Sequence, residues 1–165
     1  MVEWTNPMEG FMKFNVDGAA SGCPGEAGIG GILRNSVGET KMMFSKAIGR
    51  GDANLAEVLA IRQAFMMFAA SNWNESHFLV IESDSFNAVS WIKSPSQAPW
   101  RMRKWILQIE TLKRKVKKWE IIHVRREANQ QADSLAKAGI GRATDLVNFW
   151  TEVRDSASAG NGNLR

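Results

Sequence analysis

The chain is poor in the residues that staple, anchor or export proteins: it has one cysteine, two histidines, four prolines and no tyrosine in 165 residues. Cys23 has no second cysteine to meet, so no internal disulfide holds the fold and nothing requires an oxidising compartment. With so few cysteines and histidines, no zinc-ligand spacing can be assembled. No apolar run reaches the ~18 residues of a membrane span, and the N-terminus lacks the basic start and apolar core of a secretion signal. These absences predict a soluble intracellular protein with no membrane partner, in nucleus, cytoplasm or an organelle. What is present suffices for one globular core: 44% of residues are hydrophobic, and the net charge is a modest +4.

Hydrophobic patterning orders the chain. Residues 11–16 partly alternate and stop at Asp17-Gly18, which predicts a strand ending in a turn; residues 27–34 and 40–48 predict two more strands around the hairpin residues Asn35 to Gly38. Asn54 sits three residues before Glu57, ahead of Leu55, Val58, Leu59 and Phe65. That pattern predicts a capped amphipathic helix with Asn54 as its cap and Glu57 in its first turn. The compact apolar run of residues 78–81 predicts a buried strand, with Ser83-Asp84-Ser85 capping a helix that carries Val89 and Ile92. After a breaker at residues 94–99, a helix is predicted from Trp105, Ile106, Ile109, Leu112 and Val116. A fifth strand follows over residues 120–124 and a last helix over residues 128–138. Three strands followed by helix, strand, helices, strand and helix predict an α/β architecture, a five-stranded mixed sheet flanked by helices. This order disfavours a dinucleotide-binding fold, which alternates strands and helices from its start.

Each acidic residue at these junctions has an ordinary explanation when taken alone. Asp17 could serve a turn, Glu57 a capping box, Asp84 a helix cap, and Asp133 a solvated helix face. Together they lie where separate segments can meet at one edge of a sheet. Between Arg101 and Arg126, ten Lys or Arg face only Glu110 and Glu120, a local balance of +8. Charge runs are usually solvated helix faces, but this one lies beside Trp91, Trp100 and Trp105, which favours a surface that grips phosphates without reading sequence.

Five blocks recur in the order of a known family. They are Trp4-x-x-Pro7-x-x-Gly10-x-x-Lys13-x-Asn15-x-Asp17-Gly18-Ala19, then Ala27-Gly28-Ile29-Gly30-Gly31, then Ala56-Glu57-x-x-Ala60, then Glu82-Ser83-Asp84-Ser85. The last runs from His123-Val124-x-Arg126-Glu127 through Asn129 to Ala132-Asp133-x-Leu135-Ala136. On these blocks the chain resembles the ribonuclease H family, especially the form found in plant genomes and retroelements. The resemblance spans residues 4 to 141. It implies a ribonuclease H-like domain at residues 1–142 and an extension at residues 143–165, whose last part is expected to be disordered.

The resemblance further implies hydrolysis of the RNA strand of an RNA/DNA hybrid, leaving 5′-phosphate and 3′-hydroxyl ends. Asp17, Glu57, Asp84 and Asp133 would be catalytic and would hold two Mg²⁺ or Mn²⁺ ions, hard cations that suit oxygen ligands. His123 matches a family histidine that moves protons or helps product leave, although Ile121, Ile122 and Val124 place it in a strand, where it could simply pack. Arg126 could share its work, and His77 reads as structural or surface. Gly18, Asn54, Trp100, Arg101, Arg103, Lys104, Arg126 and Asn129 are the candidates for nucleic-acid contact, with Gly18 and Asn54 near the 2′-hydroxyl that marks RNA. Gln130 stands where the family often has glutamate. A monomer or part of a larger polyprotein is expected. The alternatives are a catalytically weak or inactive nucleic-acid-binding module of the same fold, another nuclease of similar architecture such as an exonuclease or integrase, and a scaffold.

Overall fold

A computed structural model describes residues 3–150. Three antiparallel strands, β1 (Phe11–Ala20), β2 (Gly25–Arg34) and β3 (Thr40–Gly51), lead into α1 (Ala53–Ala69). Then come β4 (Phe78–Ser83), α2 (Phe86–Lys93), α3 (Arg103–Lys115), β5 (Trp119–His123), α4 (Gln130–Gly139) and β6 (Leu146–Phe149). The sheet order is β5-β4-β1-β2-β3-β6, with β4 parallel to β1 and β5 parallel to β4. The fold is therefore mixed α/β with helices on both faces, as predicted, but among the described residues the sheet has six strands and not five. The extra strand, β6, lies in the stretch read as an extension and pairs antiparallel with β3 from Met42↔Phe149 to Ser45↔Leu146. The tail predicted to be disordered lies outside the described residues.

The hairpin between β2 and β3 forms where Asn35 and Gly38 place it. The Asn35 side chain accepts from the Val37 and Glu39 amides, and Gly38 adopts φ +85°. The predicted turn at Asp17-Gly18 does not form, because β1 runs on to Ala20. Gly18 is needed for a different reason: a Cβ there would lie 2.3 Å from the Ala56 carbonyl carbon, so its absence lets α1 rest directly on β1.

The two faces of the sheet differ in depth. Met12, Phe14 and Val16 of β1 enter a thick apolar core with Ala56, Ala60, Ala64, Phe65 and Phe68 of α1. Helix α1 is predicted to be amphipathic but is buried almost all round, since α3 covers the side that the sheet does not. The opposite face carries α4, which seats on two glycines of β2. A Cβ at Gly28 would lie 2.5 Å from the Ile140 amide nitrogen, and one at Gly30 would lie 2.3 Å from that of Ala136. Gly30 pairs with Asp17, and cross-strand partners share a face, so Asp17 points to the α4 side.

Gly30→Ala should therefore push α4 off the sheet and cost about 3 kcal/mol, the upper part of the range for overpacking. Chemical denaturation measures it; an unchanged midpoint would mean that α4 does not seat on β2 in solution.

Candidate active site

The parallel arrangement of β1, β4 and β5 brings their C-terminal ends to one edge, and the helix starts that follow complete it. Asp17 lies near the end of β1, and Asp84 follows directly on β4. Asp84 is not used as a cap. Ser85 caps α2 by accepting from the Ala88 amide at 3.1 Å, while Ser83 Oγ accepts from the Ser85 amide, so the two serines satisfy the backbone and leave the aspartate free. Glu57 falls in the second turn of α1, since the helix begins at Ala53. The cap is Asp52, which accepts from the Leu55 amide at 2.8 Å; the expected cap Asn54 is already inside the helix.

Carboxylate oxygens of Asp17, Glu57 and Asp84 lie within 4.8 Å of one another. The Gly18 amide donates to Asp17 at 2.9 Å and to Glu57 at 3.1 Å, so one backbone N–H joins β1 to α1 at the centre of the cluster. That donor is spent on carboxylates, which removes the Gly18 amide from the groups free to contact RNA. Asp133, in the first turn of α4, stands beside the three, but its carboxylate is held at 3.0 Å by Lys137 one turn further on.

Crowding and burial disfavour ionisation. Desolvation, followed by the repulsion of Asp84, pushes Asp17 from 3.8 up to about 7. Burial, followed by the charge of Asp17, raises Glu57 well above the ordinary carboxylate range. Asp84 is raised too, chiefly by burial, with the Arg126 guanidinium 3.9 Å away partly offsetting the effect. The donor set is all oxygen and short of cations, which fits a hard divalent ion such as Mg²⁺ or Mn²⁺. Asp17, Glu57 and Asp84 could share one, and Asp133 could join once Lys137 releases it.

The remaining predicted residues divide. His123 ends β5 with its ring exposed at the rim of the carboxylate cluster, edge-on to the exposed Phe86 at 5.8 Å. It does not pack into the core. His77 is half-buried away from the cluster and bonds Ser76 Oγ, in keeping with a structural or surface role. Asn129 is 1% exposed and spends its side chain on Asn15 and the Val16 carbonyl. As a nucleic-acid contact it is therefore corrected to an internal tie. Arg101 is bonded to Asp52 at 3.0 Å, which docks the Trp100–Met102 turn on the start of α1. Trp100 is 82% exposed beside Arg103, and Lys104 lies over Trp105 at 4.6 Å. Pro99, Trp100, Arg103, Ile106 and Leu107 help line a cleft of about 440 Å³.

The basic run is not one patch. α3 leads away from the carboxylates and delivers Lys117 and Lys118 to the start of β5, the opposite end of that strand from His123, where Lys117 pairs with Glu75. Lys113 is tied to Glu110 and the Ile92 carbonyl. Of this run, the residues around Trp100 to Lys104, together with Arg125 and Arg126, stand at the carboxylate end of the sheet. Sequence reasoning missed Asp52 and Lys137, although the i,i+4 spacing of Lys137 from Asp133 was a signal for the second.

The fold and its carboxylate edge define a ribonuclease H-like protein. The family model described as reverse transcriptase-like matches residues 15–139, and the chain belongs to that family. It is 36% identical over 156 residues to an Arabidopsis thaliana protein provisionally assigned as a ribonuclease H protein, an alignment covering 90% of this chain and 24% of the relative. The chain thus spans about a quarter of that relative's length. Among solved structures, it is similar to LC11-RNase H1, isolated from compost by a metagenomic approach, with TM-score 0.74, 25% identity, and coverage of 79% of this chain and 96% of the other. It is also similar to RNase H1 of the archaeon Halobacterium salinarum, with TM-score 0.71, 26% identity, and coverage of 79% and 97%.

Between pH 4 and 7 the folded, metal-free protein keeps a proton on Asp17 that the unfolded chain releases, so this group's contribution to stability is present below about pH 4 and lost as pH rises through about 7. Asp17→Asn removes the penalty. It should stabilise the metal-free protein at pH 8 by on the order of 2 kcal/mol, with no gain at pH 4. Thermal melts in chelator check this; equal melting shifts at both pH values would contradict it.

Proposed function

We propose that this chain is an endoribonuclease that hydrolyses the RNA strand of RNA/DNA hybrids at the carboxylate edge, with two divalent ions held by Asp17, Glu57, Asp84 and Asp133. The observation that carries the reading is the convergence of three carboxylates within 4.8 Å, with the fourth beside them. Such an arrangement destabilises the metal-free fold and is suited to cations. The solved LC11-RNase H1 has also been seen in complex with an RNA/DNA hybrid, which supports the substrate class. When bound, the ions supply Lewis acidity for the attacking water and for the leaving oxygen of an in-line displacement.

The chain's own groups divide the remaining work. The Gly18 amide holds Asp17 and Glu57 in register, so both carboxylates meet the phosphate from a fixed backbone. His123, exposed at the rim, offers an imidazole that can accept or deliver a proton as product leaves. Arg126 screens Asp84 and can turn to a phosphate. Trp100 with Arg103 and Lys104 offers an aromatic face flanked by cations for the partner strand, while Arg101 acts through Asp52 to hold that turn in place. Asn54, half-buried one turn before Glu57, remains the candidate for sensing the 2′-hydroxyl.

One observation favours the second reading, a binding module with little catalysis: Lys137 pairs with Asp133 at 3.0 Å and competes with a cation for that carboxylate.

End-labelled RNA/DNA hybrid, single-stranded RNA and double-stranded RNA separate the two. With Mg²⁺ or Mn²⁺ the RNA of the hybrid alone should be cut, and chelator or Asp17→Asn should lower kcat by at least ~100-fold. Retention of hybrid without cleavage under either metal would overturn the enzymatic reading in favour of the binding module.

A further inference from the structure

Behind the carboxylates lies a buried polar cluster that apolar packing alone would not require. Along β1, Lys13, Asn15 and Asp17 alternate with the core residues Met12, Phe14 and Val16. Lys13, Asn15, Glu82 and Asn129 are all at most 8% exposed. The Asn15 side-chain amide donates to Glu82 Oε1 at 3.0 Å and to Asn129 Oδ1 at 2.9 Å, and the Asn129 amide donates to the Val16 carbonyl at 2.9 Å. Lys13 Nζ lies 3.1 Å from Glu82 Oε2 and donates to the Thr5 carbonyl at 2.7 Å. Arg34 reaches Asn15 Oδ1, and Trp4 lies over its guanidinium at 3.8 Å, closing the outer side.

Burying these groups is costly unless every one is bonded, and an apolar set of the same volume is often no less stable. Their placement suggests what they do instead. Asn15 precedes Asp17 by two residues on β1, and Glu82 precedes Asp84 by two across from it, Asn15 pairing with Glu82 in the parallel register. Asn129 precedes Asp133 by four residues at the start of α4. Two residues along a strand and four along a helix each return to the same face. The Asn15–Glu82–Asn129 triangle therefore repeats the Asp17–Asp84–Asp133 triangle one step deeper, along β1, at the end of β4 and across the start of α4, whose N-cap is Asn129. Hydrogen bonds are directional where apolar contacts are not, so they fix the separation of those elements against the repulsion of the carboxylates above.

We infer that Asn15, Glu82 and Asn129, with Lys13 and Arg34 as counter-charges, form a positioning platform that sets the spacing of Asp17, Asp84 and Asp133 and hence the affinity of this edge for divalent cations. The inference rests on the metal-dependent reading above. These are positioning residues, since none touches substrate or reacting atoms.

Mn²⁺ binding, followed by electron paramagnetic resonance on the folded protein, tests the platform separately from cleavage. Asn15→Leu keeps the branched shape, with bulkier ends, and removes the bonds; it should weaken Mn²⁺ by roughly 10-fold or more and lower kcat with KM for hybrid unchanged. Glu82→Gln keeps the shape and the bond from Asn15 while losing charge, so it should fold even if Asn15→Leu does not, and should weaken Mn²⁺ by a smaller factor. The paired variant Lys13→Met with Glu82→Gln should recover most of that loss. Variants that melt earlier yet bind Mn²⁺ as the parent does would overturn the platform. A parent that binds Mn²⁺ without cutting hybrid would overturn the enzymatic reading and leave the affinity comparison to judge the platform. A parent that binds no Mn²⁺ at millimolar concentration would overturn both.

Discussion

Like charge held at close quarters is the constraint to which the rest of the structure answers. Two carboxylates 4 Å apart repel by about 4 kcal/mol at an effective dielectric of 20, and here three are gathered within 4.8 Å with a fourth alongside. No local segment would choose that arrangement. It is imposed from below by strand pairing, by α1 pressed on Gly18 and by α4 pressed on Gly28 and Gly30. Part of the repulsion is relieved chemically, because Asp17 and Glu57 hold protons at a pH where ordinary carboxylates have lost them. Part is screened by Arg126 and Lys137.

The asymmetry of the two faces follows from that constraint. The α1 face is deep and apolar, and it supplies most of the burial that holds the sheet flat against displacement. The α4 face is thin. It has small residues at its contacts, Ala136 and Gly139 against glycines of β2, and a polar cluster where a second core might have been. Small residues let the α4 backbone come close enough for Asp133 to stand next to Asp17, and the cluster beneath gives that approach a fixed length. Stability is thus concentrated on one side and geometry on the other.

Much of the fold was legible in the sequence. Partial alternation marks β1, short runs around the turn residues Asn35 to Gly38 mark β2, β3 and their hairpin, and a compact apolar run marks β4. The carboxylate blocks survived as a pattern because each sits at a fixed offset from a strand end or a helix start. Less was legible where a residue's role depends on a neighbour from elsewhere. Asn54 reads as the cap in the sequence and Asp52 escapes notice, since both are good cap residues and only the backbone path decides between them. Arg101 read as a free cation until α1 placed Asp52 against it. The +8 run looked continuous because helices hide direction in sequence, and α3 spreads it over opposite ends of the sheet. β6 was missed because four residues are too few to show a period, and its pairing with β3 is what makes it a strand.

The sequence by itself determined the inventory and its order: a basic α/β pattern, four acidic residues at element junctions, and the glycines and alanines that permit close packing. These are properties of local periodicity and composition, which a chain carries without folding. Tertiary structure alone decided which groups meet, that Asp17, Glu57 and Asp84 share one volume, that Asn129 turns inward, and that Lys137 holds Asp133. Those outcomes depend on cross-strand register and on the approach of helices from distant parts of the chain, and a side chain's partner and its protonation follow from distance and burial.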